Sequence, residues 1–500
     1  GHTKAFMGTD TMRLKIGAGR RFDAIAVPGR SLLPDELRRG AASVDDLKKL
    51  DAAQSAAACA IAGTHGLVAV TGPAGAGKTT MLRAAHAALI RQRRRMLVVA
   101  PTRKAASVAG RETGAASSSL HALLHDHGYR WSRDQTGAQV WQRLAPGDID
   151  PTTGQTYRGP QRFPLDARDR IVVDEAGMVD LQTADALTEV ALETGAGMAM
   201  VGDTHQALPV GHAGAMASAI RHASAAIEMH TVHRFHDAEY AALTLQLRDP
   251  RDHDHALQIA ADLSARGHVR RVDNIEEARA AMVSAYFDET AHGRRVALVC
   301  GSNIEADAIN AQIQERRVAA GEMNSTVLAW GRDEQRLLVG DAVQTRRNDP
   351  RTGVENRAQW IITRIDPDTI DLVSPTDSGE RRRITRDYAL DHVMLAYAST
   401  VHGIQGETTD AAVVGPDVDA AGLYVGLTRG RHHNEAIALG RTDAAAREHL
   451  ADTMLRGATE VTVNDSLRAV DAELLRTARD EAARPQGYVS GHPSLSGTSL

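Results

Sequence analysis

The segment Thr71–Thr80 constrains the fold more than any other part of the sequence, because it reads TGPAGAGKTT between two elements of different kinds. It follows Leu67–Val70, a short apolar run typical of a buried strand, and precedes Met81–Arg91, whose apolar residues recur at helical spacing. The glycines allow the chain to turn and direct several N–H groups toward one point at a helix N-terminus, where anions bind. The complete pattern G-x-x-x-x-G-K-T in this context predicts a nucleotide phosphate loop.

This loop supplies the candidate nucleotide-binding residues. The Lys78 ammonium is predicted to reach the β and γ phosphates, and the Thr79 hydroxyl is predicted to ligate Mg²⁺. The full set predicted to bind the nucleotide from the loop is Gly72, Gly75, Ala76, Gly77, Lys78, Thr79 and Thr80.

Short apolar strands that end in polar residues recur through both halves of the chain. They are Met96–Ala100, Arg170–Ala176 and Gly197–Asp203 in the first half, and Arg294–Asn303 and Asp410–Pro416 in the second. Helical patterns separate them, which predicts an α/β fold with two tandem parallel sheets and sites at the carboxyl ends of the strands.

Two stretches interrupt this alternation. A polar segment at about 125–169 predicts a small inserted unit with hairpins in the first core, and alternating strands over 336–392 predict a β-barrel inserted in the second. The predicted units are an N-terminal segment at 1–46, a first core at 47–228, a second core at 229–335 and 393–455, and at 456–500 a helix with a disordered tail.

Composition excludes several classes of protein. The chain has 500 residues, a net charge of −5 and two cysteines, Cys59 and Cys300, so a disulfide framework is excluded and a reducing, cytoplasmic setting is expected. No stretch has the length of a membrane span, and no signal peptide is recognisable. The net charge neither supports nor excludes a nucleic acid partner, because a local basic groove decides that.

Polar residues after two later strands extend the predicted nucleotide site. In VVDEAG, Asp174 is predicted to hold the Mg²⁺ shell and Glu175 to activate a water against the γ phosphate. In VGDTHQALPVG, Gln206 is predicted to hydrogen-bond the γ phosphate and so to sense its loss.

The order of these motifs resembles that of superfamily 1 helicases. The loop is followed by APTRKAA at 100–106, SSLHALL at 118–124 and the two strand ends above, then by TVHRF at 231–235, YASTVHGIQGET at 397–408 and YVGLTRGR at 424–431. The chain most resembles the RecD-like 5′→3′ branch, superfamily 1B. Within that branch it is most similar, over roughly residues 30–450, to the helicase part of MobF-type conjugative relaxases of the TraA/TrwC kind.

This resemblance implies two RecA-like domains, ATP and Mg²⁺ as cofactors, and a 5′→3′ motor on single-stranded DNA and duplex junctions that works as a monomer. It implies that Gln54 contacts adenine, that Arg234 reaches the γ phosphate from the second core, and that Arg429 is the arginine finger. The residues that face single-stranded DNA in the matching motifs are Thr102, Ser119, His121, Thr400 and His402.

The two insertions also have counterparts in that family. The stretch 125–169 resembles the pin that splits a duplex, and its Trp131 and Trp141 either form the apolar wedge or simply pack the insertion. The stretch 336–392 resembles an SH3-like barrel, in which Arg346 and the adjacent Arg347 are candidate phosphate contacts. The dipeptide Asn356-Arg357 departs from the Asn-Gly often found in that barrel.

Other functions stay open at this point. They are an ATP-gated module that grips single-stranded DNA without unwinding, a RecD-like repair helicase, and an RNA helicase. The sequence has no clustered tyrosines or histidine triad of a relaxase nicking domain, and His121, His125 and His127 are interpreted as non-metal residues. A nicking domain in the full-length protein is therefore a candidate partner.

Overall fold

The structure is a computed structural model that describes residues 9–41, 50–133, 139–206, 214–235, 237–349, 351–404 and 408–457. The helix and tail predicted in the C-terminal region lie outside the described residues from 458 onward. No described helix combines the length and the apolar character needed to cross a membrane.

The first α/β unit is built on a sheet of six parallel strands in the order β3-β2-β6-β7-β1-β8. The strands are β1 (Leu67–Thr71), β2 (Arg95–Ala100), β3 (Ala116–Ser119), β6 (Asp169–Val173), β7 (Gly197–Gly202) and β8 (Ala225–Glu228). The helices around it are α1 (Thr9–Ile25), α2 (Pro34–Gly40), α3 (Ala52–Ala62), α4 (Lys78–Arg91), α5 (Arg103–Thr113), α6 (Leu120–Asp126), α7 (Leu181–Thr194) and α8 (Ala215–His222), with a 3-10 turn at Ala176–Met178.

Helices cover both faces of this sheet, as the continuous apolar strands predict. Consecutive side chains on β1 belong to different clusters because they point to opposite faces. Leu67 packs in one cluster with Phe22 and Leu187. Val68 packs in the other, with Ile61 and Met81.

The second α/β unit has a sheet of five parallel strands in the order β18-β10-β19-β20-β9. The strands are β9 (Val269–Val272), β10 (Val296–Cys300), β18 (Ala398–Thr400), β19 (Thr409–Val414) and β20 (Gly430–Leu439). The helices are α9 (Ala238–Arg248), α10 (His253–Ala265), α11 (Ile275–Ala291), α12 (Asn303–Ala319), α14 (Val401–Ile404), α15 (Ala420–Leu427) and α16 (Asp443–Leu455). The predicted pair of parallel α/β units is thus confirmed.

The insertion in the second unit is a five-stranded antiparallel sheet in the order β16-β15-β14-β13-β17. Its elements are β13 (Ala342–Thr345), β14 (Gln359–Ile365), β15 (Thr369–Val373), β16 (Arg381–Thr385), α13 (Arg386–His392) and β17 (Val393–Leu395), preceded by the pair β11 (Leu328–Trp330) and β12 (Arg336–Leu338) with a 3-10 turn at Arg332–Glu334 between them. An SH3-like closure of this sheet stays a prediction.

This insertion shares its core with the second parallel sheet. Trp360 and Ile362 of β14 belong to the same buried cluster as Leu298 of β10 and Ile309 of α12. We infer that the antiparallel sheet and the parallel sheet behave as one packed body.

The insertion in the first unit contains the hairpin β4 (Tyr129–Arg133) and β5 (Gln139–Arg143), in which Trp131 lies opposite Trp141. The remainder of the insertion is mostly irregular. A partly buried ion pair between Arg130 and Asp150, with an N–O distance of 2.7 Å, joins the hairpin to that irregular part.

Asn310 ties the end of the antiparallel insertion to the second parallel sheet. Its amide donates to the carbonyls of Leu395 and Ala398 at 3.2 Å each and accepts from the N–H of Ala398 at 2.7 Å, and the residue is 1% exposed. The side chain therefore satisfies three backbone groups in a buried place.

We expect Asn310→Ala to lower the free energy of unfolding by about 3 kcal/mol, because these buried backbone groups lose their partners. The measurement is urea-induced unfolding. Gln312→Ala, at an exposed position of the same helix, is the matched control, and we expect it to leave the urea concentration at the unfolding midpoint unchanged. Equal midpoints for the two variants would contradict the tethering role of Asn310.

Candidate active site

The loop between β1 and α4 has the left-handed turns that its glycines permit. Gly75 and Gly77 have φ angles of +80° and +74°. A Cβ on Gly75 would lie 2.5 Å from the Cβ of Arg234, and one on Gly77 would lie 2.2 Å from Nε2 of Gln54. Both the backbone conformation and the crowding therefore require glycine here. The Lys78 Nζ donates to the carbonyls of Gly72 and Pro73 at 2.9 and 3.1 Å.

Gln54 lies beneath this loop in α3 and is 4% exposed. Its amide donates to the carbonyl of Ala76 at 2.9 Å and accepts from the N–H of Asp51 at 2.9 Å. The Asp51 carboxylate in turn lies 2.9 Å from Nε2 of His233. In this structure Gln54 shapes the loop, and its contact with adenine stays a prediction.

The carboxylate pair follows directly after β6. Glu175 has a φ of +54°, a left-handed conformation that costs free energy for a residue with a Cβ, and its N–H donates to Oδ1 of Asp174 at 3.0 Å. Burial and the neighbouring Glu175 carboxylate raise the pKa of Asp174, and the charge of Lys78 opposes this. The pair is thus held where a cation would stabilise its charged form.

A single cleft of about 420 Å³ brings most of the predicted site residues together. Its lining includes the predicted residues Gly75, Ala76, Gly77, Lys78, Thr79, Thr102, Asp174, Glu175, Gln206, Arg234, His402 and Arg429. Of the predicted nucleotide-binding set, Gln54, Gly72 and Thr80 lie outside this lining. The other wall comes from the second unit and includes Arg357, Thr408 and Arg431.

The two predicted arginines meet at the C-terminal end of α15. Arg429 is 3% exposed, and its Nε donates to the carbonyl of Val425 at 3.1 Å. Arg234, which is predicted to reach the γ phosphate from the second core, lies on the segment that connects β8 to α9, and its guanidinium donates to the carbonyl of Thr428. Burial and the nearby Arg429 lower the pKa of Arg234 to about 10. Two cations held this close favour an anion between them and the phosphate loop.

A buried hydrogen-bond junction connects the phosphate loop with the second unit. The Tyr424 hydroxyl accepts from the N–H of Ala74 at 3.0 Å and donates to Oδ2 of Asp203 at 2.8 Å. Asp203, at the end of β7, also pairs with Arg248 of α9 at 3.0 Å. Burial acts to raise the pKa of Asp203, but its hydrogen bonds from His205 and the charges of Arg248 and Lys78 outweigh burial and lower it.

Sequence reasoning did not assign this junction. Tyr424 and Asp203 both lie inside quoted motifs, YVGLTRGR and the strand end before Gln206, so motif position was the available signal. It could not indicate that residues 221 positions apart form a hydrogen bond.

Two buried polar atoms near the cleft have no hydrogen-bond partner among the described residues, Oε1 of Gln206 and Nε2 of His402. Gln206 is 6% exposed, and both residues line the cleft. Buried polar groups are nearly always hydrogen-bonded, so these two atoms are natural contacts for a polar ligand.

The residues predicted to face DNA divide into two groups. Thr102 and His402 line the cleft, whereas Ser119, His121, Arg346 and Thr400 lie outside its lining. The hydroxyls of Thr102 and Ser119 accept from backbone N–H groups as N-caps of α5 and α6. Arg346 is half-buried and donates to the Gln344 side chain at 3.2 Å.

His121 belongs to an aromatic cluster with both tryptophans of the hairpin. Its ring lies 4.9 Å from that of Trp131, and the rings of Trp131 and Trp141 are 5.4 Å apart. Both tryptophans are partly buried against the core of the first sheet. This packing favours the alternative in which the two tryptophans pack the insertion. A wedge that splits the duplex stays a prediction, because the hairpin tip, 134–138, lies outside the described residues.

Taken together, a phosphate loop, a strand-end carboxylate pair and facing arginines on a parallel sheet define a nucleotide-binding protein of the P-loop class. Residues 49–274 match the family model of an AAA domain. This match spans the phosphate loop, both carboxylates, Gln206 and Arg234.

The sequence is also similar to those of individual conjugal transfer proteins. The chain is 27% identical over 455 residues to the conjugal transfer protein TraA of Agrobacterium fabrum, covering 86% of this chain and 36% of that protein. It is 26% identical over 378 residues to a probable TraA of Sinorhizobium fredii, covering 74% and 31%. The predicted resemblance to TraA proteins is thus confirmed, and the chain spans about a third of the length of these curated relatives.

Solved structures similar to this chain include the crystal structure of Bacteroides Pif1 bound to single-stranded DNA. The similarity has a TM-score of 0.48 and 18% identity, and covers 83% of this chain and 94% of that one.

We expect Tyr424→Phe to lower the free energy of unfolding by about 2 kcal/mol, because it leaves the Ala74 N–H and one Asp203 oxygen without their buried partner. We also expect weaker nucleotide binding, since that N–H belongs to the phosphate loop. Urea-induced unfolding and titration with a fluorescent ATP analogue measure the two effects. Tyr157→Phe, which removes a hydroxyl bonded to the Asp126 carbonyl in the first insertion, is the control. Wild-type nucleotide affinity in Tyr424→Phe would contradict the coupling.

Proposed function

We propose that this chain is an ATP-dependent motor that moves 5′→3′ along single-stranded DNA and separates the duplex ahead of it. In this proposal it is the helicase part of a conjugal DNA-transfer protein. The observation that carries the proposal is the shared cleft, in which Lys78 and Glu175 from one parallel sheet face Arg429 from the other. A hydrolytic site divided between two units can convert the state of its nucleotide into relative motion of those units.

The side chains fit ATP hydrolysis. Lys78 and the loop N–H groups bind the phosphates, Glu175 accepts a proton from the attacking water, and Gln206 hydrogen-bonds near the γ phosphate. Arg234 and Arg429 stabilise the negative charge that develops on the transferred group.

Mg²⁺ also fits the residues present. Thr79 and Asp174 would hold it, because a hydroxyl and a carboxylate are oxygen ligands of the kind Mg²⁺ prefers, and both side chains line the same cleft as Lys78. The ion supplies neutralisation of phosphate charge when it is bound.

Coupling between hydrolysis and movement follows from the groups that span the cleft. Tyr424 and Arg429 lie at the same end of the second unit, and Tyr424 bonds directly to the phosphate loop. A change in the phosphates would alter the bonds of both residues together. The second sheet and its antiparallel insertion would then move as one body relative to the first sheet.

The DNA substrate is supported by the conjugal transfer proteins that this chain resembles and by the motif residues predicted to face a strand. The polarity comes from the superfamily 1B resemblance. The chain matches about a third of each relative, so in our proposal a nicking activity resides in another part of such a protein.

Unwinding of short duplexes with either a 5′ or a 3′ single-stranded tail, in the presence of ATP and Mg²⁺, tests this function. Unwinding from the 5′ tail alone is the expected result. Unwinding from the 3′ tail alone would contradict the polarity. DNA-stimulated ATP hydrolysis without unwinding from either tail would favour a translocase or an ATP-gated clamp. Absence of ATP hydrolysis would contradict the proposal as a whole.

We expect Glu175→Gln to lower the rate of ATP hydrolysis by at least a hundredfold while ATP and single-stranded DNA still bind, because the amide cannot accept the proton from water. Steady-state kinetics and binding titrations measure this. Glu315→Gln, at an exposed position of α12, removes the same charge as a control. Loss of ATP binding in Glu175→Gln would show that the carboxylate maintains the site and is not its base.

A further inference from the structure

Arg357, for which the sequence predicted no functional role, lies in the wall of the cleft. It lies between β13 and β14 of the antiparallel insertion, outside the motifs assigned to the nucleotide, and it lines the same cleft as Lys78. Its φ is +65°, so an arginine occupies a backbone conformation that favours glycine. Strain of this kind is retained where the side chain has a use, and it clusters at ligand sites.

The contacts of Arg357 reach both units. Its own carbonyl accepts from Nζ of Lys104 in α5 at 3.3 Å, and its Nη1 donates to the carbonyl of His402 in α14 at 3.2 Å. Glu355, two residues earlier in the same loop, pairs with Arg103 at 3.1 Å, which holds the loop against α5. Arg357 therefore lies where the first unit, the second unit and the insertion meet: its carbonyl contacts the first unit and its guanidinium contacts the second.

The charge of Arg357 lacks an acidic partner. No carboxylate of the described residues forms an ion pair with it, and the nearby Glu355 pairs with Arg103. Burial and the like charge of Arg346 lower its pKa. Only one of its five N–H donors has a bond among the described residues, the one to the His402 carbonyl.

The charges of the side chains that line the cleft indicate which type of ligand would bind beside Arg357. The described lining contains six cationic side chains, Lys78, Lys104, Arg234, Arg357, Arg429 and Arg431, and three carboxylates, Glu112, Asp174 and Glu175. A planar guanidinium with free donors in such a wall matches the oxygens of a phosphate group, which it can bind through two parallel hydrogen bonds.

We propose that Arg357 binds a phosphate group in the wall of the cleft where α5, α14 and the insertion meet. This proposal extends the proposed function, since the phosphate comes either from the backbone of single-stranded DNA or from the nucleotide. A phosphate held there lies between Arg357 of the insertion and the part of the cleft wall that the first unit contributes, so its binding depends on how far the cleft is closed.

Arg357→Gly tests the proposal without a folding artefact, because glycine adopts the left-handed conformation without strain. We expect a melting temperature equal to or above that of the wild type. Arg351→Gly, on the same loop with a side chain that is 94% exposed, removes the same charge and is the matched control. Arg357→Lys keeps the charge and loses the guanidinium.

The two sources of phosphate give different results. If the group belongs to DNA, Arg357→Gly weakens binding of single-stranded DNA about tenfold at low salt and makes the slope of log K against log salt about 0.7 shallower, while KM for ATP stays unchanged. If the group belongs to the nucleotide, KM for ATP rises about tenfold and the salt slope of DNA binding stays unchanged. In either case we expect Arg357→Lys to recover part of the loss and Arg351→Gly to resemble the wild type.

Wild-type DNA affinity, salt slope and KM in Arg357→Gly would overturn the phosphate site and leave the proposed function intact. An equal effect in Arg351→Gly would also overturn it, because the result would then report only the net charge of the loop. A wild-type protein that neither hydrolyses ATP nor binds single-stranded DNA would instead overturn the proposed function, and this site with it.

Discussion

The buried junction of Tyr424, Asp203 and the N–H of Ala74 determines how the two parallel sheets meet. Tyr424 is 2% exposed and Asp203 is 1% exposed, so these hydrogen bonds are shielded from water, where each is stronger and its loss more costly. The junction connects the first turn of the phosphate loop to the helix that precedes Arg429. The position of an arginine from the second unit therefore depends directly on the conformation of a loop in the first.

Around this junction, the site uses backbone conformations that ordinary residues avoid. Gly75 and Gly77 adopt them without a Cβ, whereas Glu175 and Arg357 adopt them in spite of one. Two large hydrophobic cores, one on each face of the first sheet, and two more around the second sheet provide the stability that offsets this strain. Two of the strained residues, Glu175 and Arg357, thus lie in the wall of the cleft.

The antiparallel insertion has a further consequence for the mechanism. Because Trp360 and Ile362 share a core with Leu298 of the second sheet, Arg357 and Arg429 belong to one packed body. Lys78 and Glu175 belong to the other. Opening of the cleft would move Arg357 and Arg429 together away from Lys78 and Glu175. The distances within each of these two pairs would stay the same.

The sequence by itself determined the phosphate loop, its strand and helix, the carboxylate pair, and the strands with continuous apolar runs, such as β2, β6, β7, β10 and β19. In each of these a local pattern dictates local geometry. Strand β3, with the sequence ASSS, and the edge strand β8, with the sequence AAIE, were not predicted because neither carries a long apolar run. Only the tertiary structure decided that Arg234 lies on the connecting segment, that Tyr424 bonds Asp203 across 221 positions, and that Arg357 enters the cleft. These facts depend on how distant surfaces pack against each other, and no local periodicity or motif spacing encodes that packing.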